Sequence, residues 1–134
     1  MYAAAADYGM MAKAEYMQHA NETTLLCLMI EGKDGLSNLD EILSVLGIDI
    51  IFAGPYDLSQ SLGLPGQVLH PQVQGHIKDM LNRVRAKGLA FGLFVDTVET
   101  ARDYRDMGVQ FISISVDVHI LRLAAQGMTS ALKG

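Results

Sequence analysis

Short apolar runs alternate with segments of helical period along most of this chain, and the changes of period fall at Gly, Pro or small polar residues. That alternation marks βα units around a parallel sheet. An Ala- and Met-rich opening to about His19 reads as helix, followed by strands at about Thr24 to Ile30, Asp49 to Ala53, Leu89 to Val95 and Val109 to Val116. Between them the spacing predicts helices over Ser37 to Leu46, from Pro71 to a stop at Gly88, and over Val98 to Met107, with a last helix over Val118 to Leu132. Ser37 is placed to cap the first of these, with Asp40 and Glu41 in its first turn and Gly47 at its end. In the second, Val73, Ile77, Met80, Leu81 and Val84 recur at three- and four-residue spacing, so one face belongs to the core. Phe111-Ile112-Ser113-Ile114-Ser115-Val116 alternates strictly, which sends one face to the helices and leaves the other for a barrel interior or a subunit contact.

At 134 residues, half of them hydrophobic, the chain is one domain's worth of core-forming sequence. It is too short for a complete eight-stranded α/β barrel, which takes about 250 residues. A net charge of −5 with no run of Lys or Arg gives no footprint for nucleic acid or an anionic membrane. The lone cysteine, Cys27, lies inside an apolar run and is expected to be a buried, inert thiol, which suits a reducing cytoplasm. The first residues lack a basic n-region, and no apolar stretch approaches the ~18 residues of a membrane span, so a soluble, unexported protein is expected.

Two carboxylates end successive apolar runs: Glu31 after Leu25-Leu26-Cys27-Leu28-Met29-Ile30, and Asp57 shortly after Ile48-Asp49-Ile50-Ile51-Phe52-Ala53. Neighbouring parallel strands would bring both to the sheet edge where α/β folds keep their sites, close enough to share one divalent cation. Glu31 is equally an ordinary solvated loop glutamate by position, and Asp57 equally an N-cap for a short turn through Ser61. Exposed N–H groups at Tyr56 and Asp57 could receive a substrate carboxylate. No paired-His or CxxC spacing supports a closed zinc site. His19, His70, His76 and His119 read as surface or capping residues, and no P-loop or GxGxxG falls on a strand-to-helix turn.

Taken together, Asn21-Glu22, Met29-Ile30-Glu31, Ile51-Phe52-Ala53-Gly54-Pro55-Tyr56-Asp57-Leu58-Ser59, Leu62-Gly63, Gly108-Val109-Gln110-Phe111-Ile112 and Val116-Asp117 resemble the HpcH/HpaI aldolase (2,4-dihydroxyhept-2-ene-1,7-dioate aldolase/citrate lyase) family. The resemblance covers nearly the whole chain but only the C-terminal half of the family's domain. The separation of the carboxylates, 57 − 31 = 26 residues, is also that of the family's two metal ligands. What the resemblance implies is an α/β fold, the C-terminal half of a (β/α)8 TIM barrel of the phosphoenolpyruvate/pyruvate type. Residues 1–134 would form a single partial domain, with 1–20 a helical lead-in and 24–134 four βα units with strands in sequential order.

Its activity would be that of a divalent-metal-dependent class II aldolase, a carbon–carbon lyase acting on 2-keto acids through a pyruvate enolate. Glu31 and Asp57 would hold Mg2+, Mn2+ or Co2+, and the N–H groups of Tyr56 and Asp57 would receive the carboxylate of pyruvate or a related keto acid. Tyr56 stands where relatives commonly have a small residue. Met29 stands where they usually carry a glutamine that contacts substrate, and a thioether cannot supply those hydrogen bonds. The family's catalytic arginine and its proton-transferring histidine and aspartate belong to the first half, for which this chain has no matching segment, so no catalytic residue is assigned. A homo-oligomer is expected, with the helix over 118–132 as a candidate contact. The alternative is a non-catalytic half-barrel serving as an oligomerisation or metal- and keto-acid-binding module. Citrate lyase β-subunits and malyl-CoA lyases carry related carboxylate pairs, but no acyl-carrier or coenzyme A feature is recognisable here.

Overall fold

A computed structural model describes residues 8–133, so residues 1–7 of the expected opening helix fall outside the described residues, while residues 8–12 form a short 3-10 turn and a bend instead of the expected α-helix. Helix α1 spans Lys13–Thr23, running past His19. Strand β1 (Cys27–Ile30) follows, then two short helices, α2 (Lys33–Ser37) and α3 (Leu39–Ile42). Strand β2 (Ile50–Ala53) leads into a short helix α4 (Pro55–Ser61) before the long α5 (Pro71–Ala86). The chain continues as β3 (Ala90–Val95), α6 (Val98–Asp106), β4 (Phe111–Ile114) and α7 (Asp117–Lys133). No helix among the described residues is long and apolar enough to cross a membrane.

All four strands are parallel, in the order β1-β2-β3-β4. Parallel strands in sequential order joined by helices are the repeating unit of a (β/α)8 barrel. Register decides which side chains meet the helices. Leu28, Ile51 and Phe91 lie in one row and Ile30, Ala53, Leu93 and Ile112 in another. These pack with Val73, Ile77, Met80, Leu81 and Val84 of α5, Leu39 and Leu43 near α3, and Ala101 and Tyr104 of α6. The predicted stripe of α5 is therefore its buried face. His70 caps this helix, its Nδ1 accepting from Gln72 N at 3.2 Å, with Pro71 in the first turn and Gly88 at φ +75° beyond the end.

The opposite face carries Cys27, Met29, Phe52, Gly92 and Phe111. Among these, Met29 is 57% exposed and Phe111 47%. Cys27 is exposed rather than buried, because side-chain alternation sends it to this face and the described residues do not cover it. Partial desolvation still raises its thiol pKa.

Ser37 also departs from expectation. It ends α2 instead of capping a helix from 37 to 46, because the chain breaks at Asn38 (φ −99°, ψ 13°) and turns Leu39 fully into the core. Helix α7 buries none of its residues, and Val118, Leu121 and Leu132 stay well exposed.

Tyr104 ties α6 to α5: its hydroxyl donates to Gln74 Oε1 at 2.7 Å while the residue is 4% exposed. Burial pushes its pKa above the usual tyrosine value. A raised folded-state pKa means the stabilisation is complete below the unfolded value of about 10 and is lost as pH rises through the folded one. Tyr104→Phe is expected to lose about 1 kcal/mol at neutral pH. It should also flatten the alkaline fall in stability, which urea melts on either side of pH ~10 would measure.

Candidate functional site

The site is built at the C-terminal edge of the sheet, where βα folds place their chemistry. Strands β1 and β2 end in register, Ile30 beside Ala53, and Gly54 N donates to Ile30 O at 3.2 Å. Glu31 and Gly54 consequently emerge side by side. A Cβ built on Gly54 would stand 2.8 Å from Glu31 Oε2, 2.9 Å from Glu31 Cβ and 3.5 Å from Met29 Sδ. The Glu31 carboxylate thus occupies the space that the absent side chain of Gly54 leaves open.

Beyond Gly54 the chain enters α4 at once, with Gly54 as N-cap and Pro55 in the first turn. Asp57 sits within that first turn rather than at the cap, and its side chain makes no capping bond. A carboxylate there is favoured by the exposed N–H groups of the turn. Glu31 and Asp57 are both exposed, at the mouths of adjacent strands. No group of three or more His, Cys, Asp or Glu that could hold a metal occurs among the described residues, so the histidines do not join this pair. An oxygen-only donor set with two side chains suits a hard divalent ion that keeps places for water or substrate.

Three further residues shape the edge and were not singled out from the sequence. Ser59 is fully buried: its Oγ donates to Tyr56 O at 2.6 Å and accepts from Gly66 N at 3.1 Å. It thereby occupies the Tyr56 carbonyl, fixing the plane of the peptide whose N–H belongs to Asp57. Asp96, immediately after β3, accepts from the Tyr56 hydroxyl at 2.9 Å. That bond, then desolvation and the Asp96 charge, raise the Tyr56 pKa, so the phenol is a neutral donor. The Tyr56 ring also meets Phe94 edge-on with centroids 6.2 Å apart. Ser115, after β4, holds a left-handed φ of +58° while its N–H donates to Val95 O at 2.8 Å. Non-glycine residues rarely adopt that conformation, and it ends the strand at this edge. Asp96 carries the same signal as Glu31, a carboxylate directly after an apolar run.

Comparison with known proteins gives a consistent picture. The family model described as HpcH/HpaI aldolase/citrate lyase matches residues 3–124. A hydroxypyruvate/pyruvate aldolase of Pseudomonas aeruginosa is 38% identical over 121 residues, covering 90% of this chain and 45% of that protein. A 4-hydroxy-2-oxo-heptane-1,7-dioate aldolase of Escherichia coli is 34% identical over 116 residues, covering 87% of this chain and 44% of that protein. The chain spans about half the length of the curated relatives it matches. The crystal structure of an HpcH/HpaI aldolase/citrate lyase family protein from Burkholderia cenocepacia J2315 superposes with a TM-score of 0.87 at 31% identity, covering 99% of this chain and 51% of that one.

Proposed function

Because the chain belongs to the HpcH/HpaI aldolase/citrate lyase family, we propose that it carries the metal- and keto-acid-binding part of a class II aldolase acting on pyruvate or a related 2-keto acid. On this proposal residues 1–134 are one partial domain, corresponding to the C-terminal half of the family's barrel. Glu31 and Asp57 hold the divalent ion, Mg2+, Mn2+ or Co2+. When bound, such an ion supplies Lewis acidity toward the keto acid's oxygens. The N–H groups of Tyr56 and Asp57 receive the keto acid's carboxylate, the second of them held in orientation through Ser59. Met29, beside Glu31 above Gly54, offers an apolar wall in place of a hydrogen-bonding side chain. The observation that carries the proposal is the Glu31 carboxylate seated over Gly54, three residues before Asp57 in sequence. The exposed apolar residues of α7 support its role as a contact between copies.

A thermal-shift titration tests the assignment. Mn2+ at ~100 times its dissociation constant should stabilise the chain by about 2.7 kcal/mol, with a further increment on adding pyruvate. Glu31→Ala and Asp57→Ala should each abolish both responses, and a response unchanged in both variants overturns the assignment. The alternative reading is a half-barrel module that binds metal and keto acid without turning over. Oxaloacetate decarboxylation by the metal-loaded chain separates the two.

A further inference from the structure

Both edges of the sheet carry backbone groups that the described residues leave unpaired. Ile50 N donates to Leu26 O and Gly54 N to Ile30 O, so the peptide groups of β1 that meet β2 belong to alternate residues. The N–H and C=O groups of Cys27 and Met29 therefore point away from β2, to a side where no strand lies among the described residues. Strand β4 is bare on its far side in the same way. Between the two edges runs one apolar surface: register places Met29, Phe52, Gly92 and Phe111 in a single row of the open face, with Ile50 and Phe94 beside it. None of these residues is charged, so two such faces can meet without opposing like charges.

Surface area gives the size of the contact that this face and α7 leave unmade. The chain exposes 9062 Å2, whereas a compact monomer of 14.6 kDa exposes about 6,900 Å2. Part of the surplus, about 2,100 Å2, lies on α7, which buries none of its residues. If two copies closed only half of it, the pair would bury about 2,100 Å2, within the ~2,000–5,000 Å2 of obligate homodimers.

We infer that the open face is covered by a second copy of this chain, β4 of each copy adding in parallel to β1 of the other, so that two four-stranded sheets close into one eight-stranded barrel. The two edges match. Strands β1 and β4 are each four residues long, run in the same direction and lack an outer neighbour among the described residues. A half-turn about the barrel axis satisfies both edges at once, so the assembly closes at two copies. Eight strands also enclose an interior that side chains just fill. Met29, Ile50, Phe52, Phe94 and Phe111 of both copies supply that filling, and Gly92 makes room for the Phe52 and Phe111 rings. Because every strand then runs the same way, Glu31 and Asp57 of both copies open on one mouth. The inference does not draw on the aldolase proposal, and it differs from a contact through α7, which would leave the sheet edges bare.

The test uses the full 134-residue chain. Sedimentation equilibrium should give twice 14.6 kDa, and hydrogen exchange followed by NMR should find the amides of Cys27 and Met29 protected although β2 does not bond them. Phe111→Lys, which sets a charge on the open face, and Cys27→Pro, which removes only an outward N–H, should each lose the dimer. Leu121→Lys on α7 should keep it. Amide protection is read in the unsubstituted chain, so unfolding of either variant on separation leaves the test standing. A monomer overturns the inference and leaves the face to a different polypeptide. Fast exchange at Cys27 and Met29 within a dimer, or a dimer lost only in Leu121→Lys, overturns it and places the contact elsewhere. Open-ended polymers overturn the closure, since edge pairing that does not close continues.

Discussion

Gly92→Ala should destabilise the chain by about 3 kcal/mol, at the upper end of what overpacking usually costs. A Cβ at this position would stand 2.7 Å from Phe111 O, 2.8 Å from Phe52 Cδ2 and 3.0 Å from Phe111 Cβ. The first of these is backbone of the neighbouring strand, so no rotamer change relieves it, and β4 must move away from β3. Phe52 and Phe111, whose rings meet edge-on with centroids 5.6 Å apart, would be forced apart as well. Urea denaturation followed by far-UV circular dichroism measures the loss. Gly75→Ala in α5, where nothing lies within 4 Å of the added Cβ, is the matched control and should gain about 0.5–1 kcal/mol. Removing the Phe52 ring in a Gly92→Ala background should recover only part of the loss, since the clash with the backbone oxygen persists. Equal stability of Gly92→Ala and the unsubstituted chain would mean that β3 and β4 are not paired in this register.

The register around Gly92 also explains which features were legible in the sequence. Strand alternation is a local property, so Phe111, Ile112, Ser113 and Ile114 announce two faces without knowledge of the neighbours, and the βα rhythm then implies sequential parallel order. Glycine and proline punctuation worked for the same reason: Gly88 and Pro71 act within one turn of where they stand. Ser37 misled because its capping potential competes with burial of Leu39, and burial is a tertiary fact. Cys27 misled in another way, since an unbroken apolar run shows that both faces are hydrophobic but not which face is covered. The carboxylates at strand ends were visible as residues, whereas the partnership of Tyr56 with Asp96, 40 positions later, exists only once β2 and β3 lie side by side.

The uncovered face has a physical implication of its own. Ile50 and Phe52 on β2 are buried, while Met29 on β1 and Phe111 on β4 remain open. Exposure therefore rises toward the two strands that lack a second neighbour among the described residues. Edges of this kind are ordinarily paired or covered. The Burkholderia cenocepacia structure that matches 99% of this chain does so with 51% of its own length.

Gly54→Ala should eliminate the Mn2+ and pyruvate thermal response while leaving the fold nearly intact. The backbone at Gly54, φ −97° and ψ 89°, is open to alanine, so no conformational strain is introduced. Its methyl would instead fall 2.8 Å from Glu31 Oε2 and 2.9 Å from Glu31 Cβ. The carboxylate can swing into solvent because Glu31 is exposed, so the expected cost in stability is only about 1 kcal/mol. On the proposed assignment, displacing one of the two carboxylates should be enough to lose the ion, because no group of three or more His, Cys, Asp or Glu that could hold a metal occurs among the described residues. The double variant with Glu31→Ala makes the cause explicit. If Gly54→Ala acts through Glu31, adding Glu31→Ala changes the metal response no further, so the two effects are strongly non-additive. If Gly54→Ala instead keeps its response and Glu31→Ala loses it, Glu31 binds from a position other than the one over Gly54. If both keep it, the ion is held elsewhere.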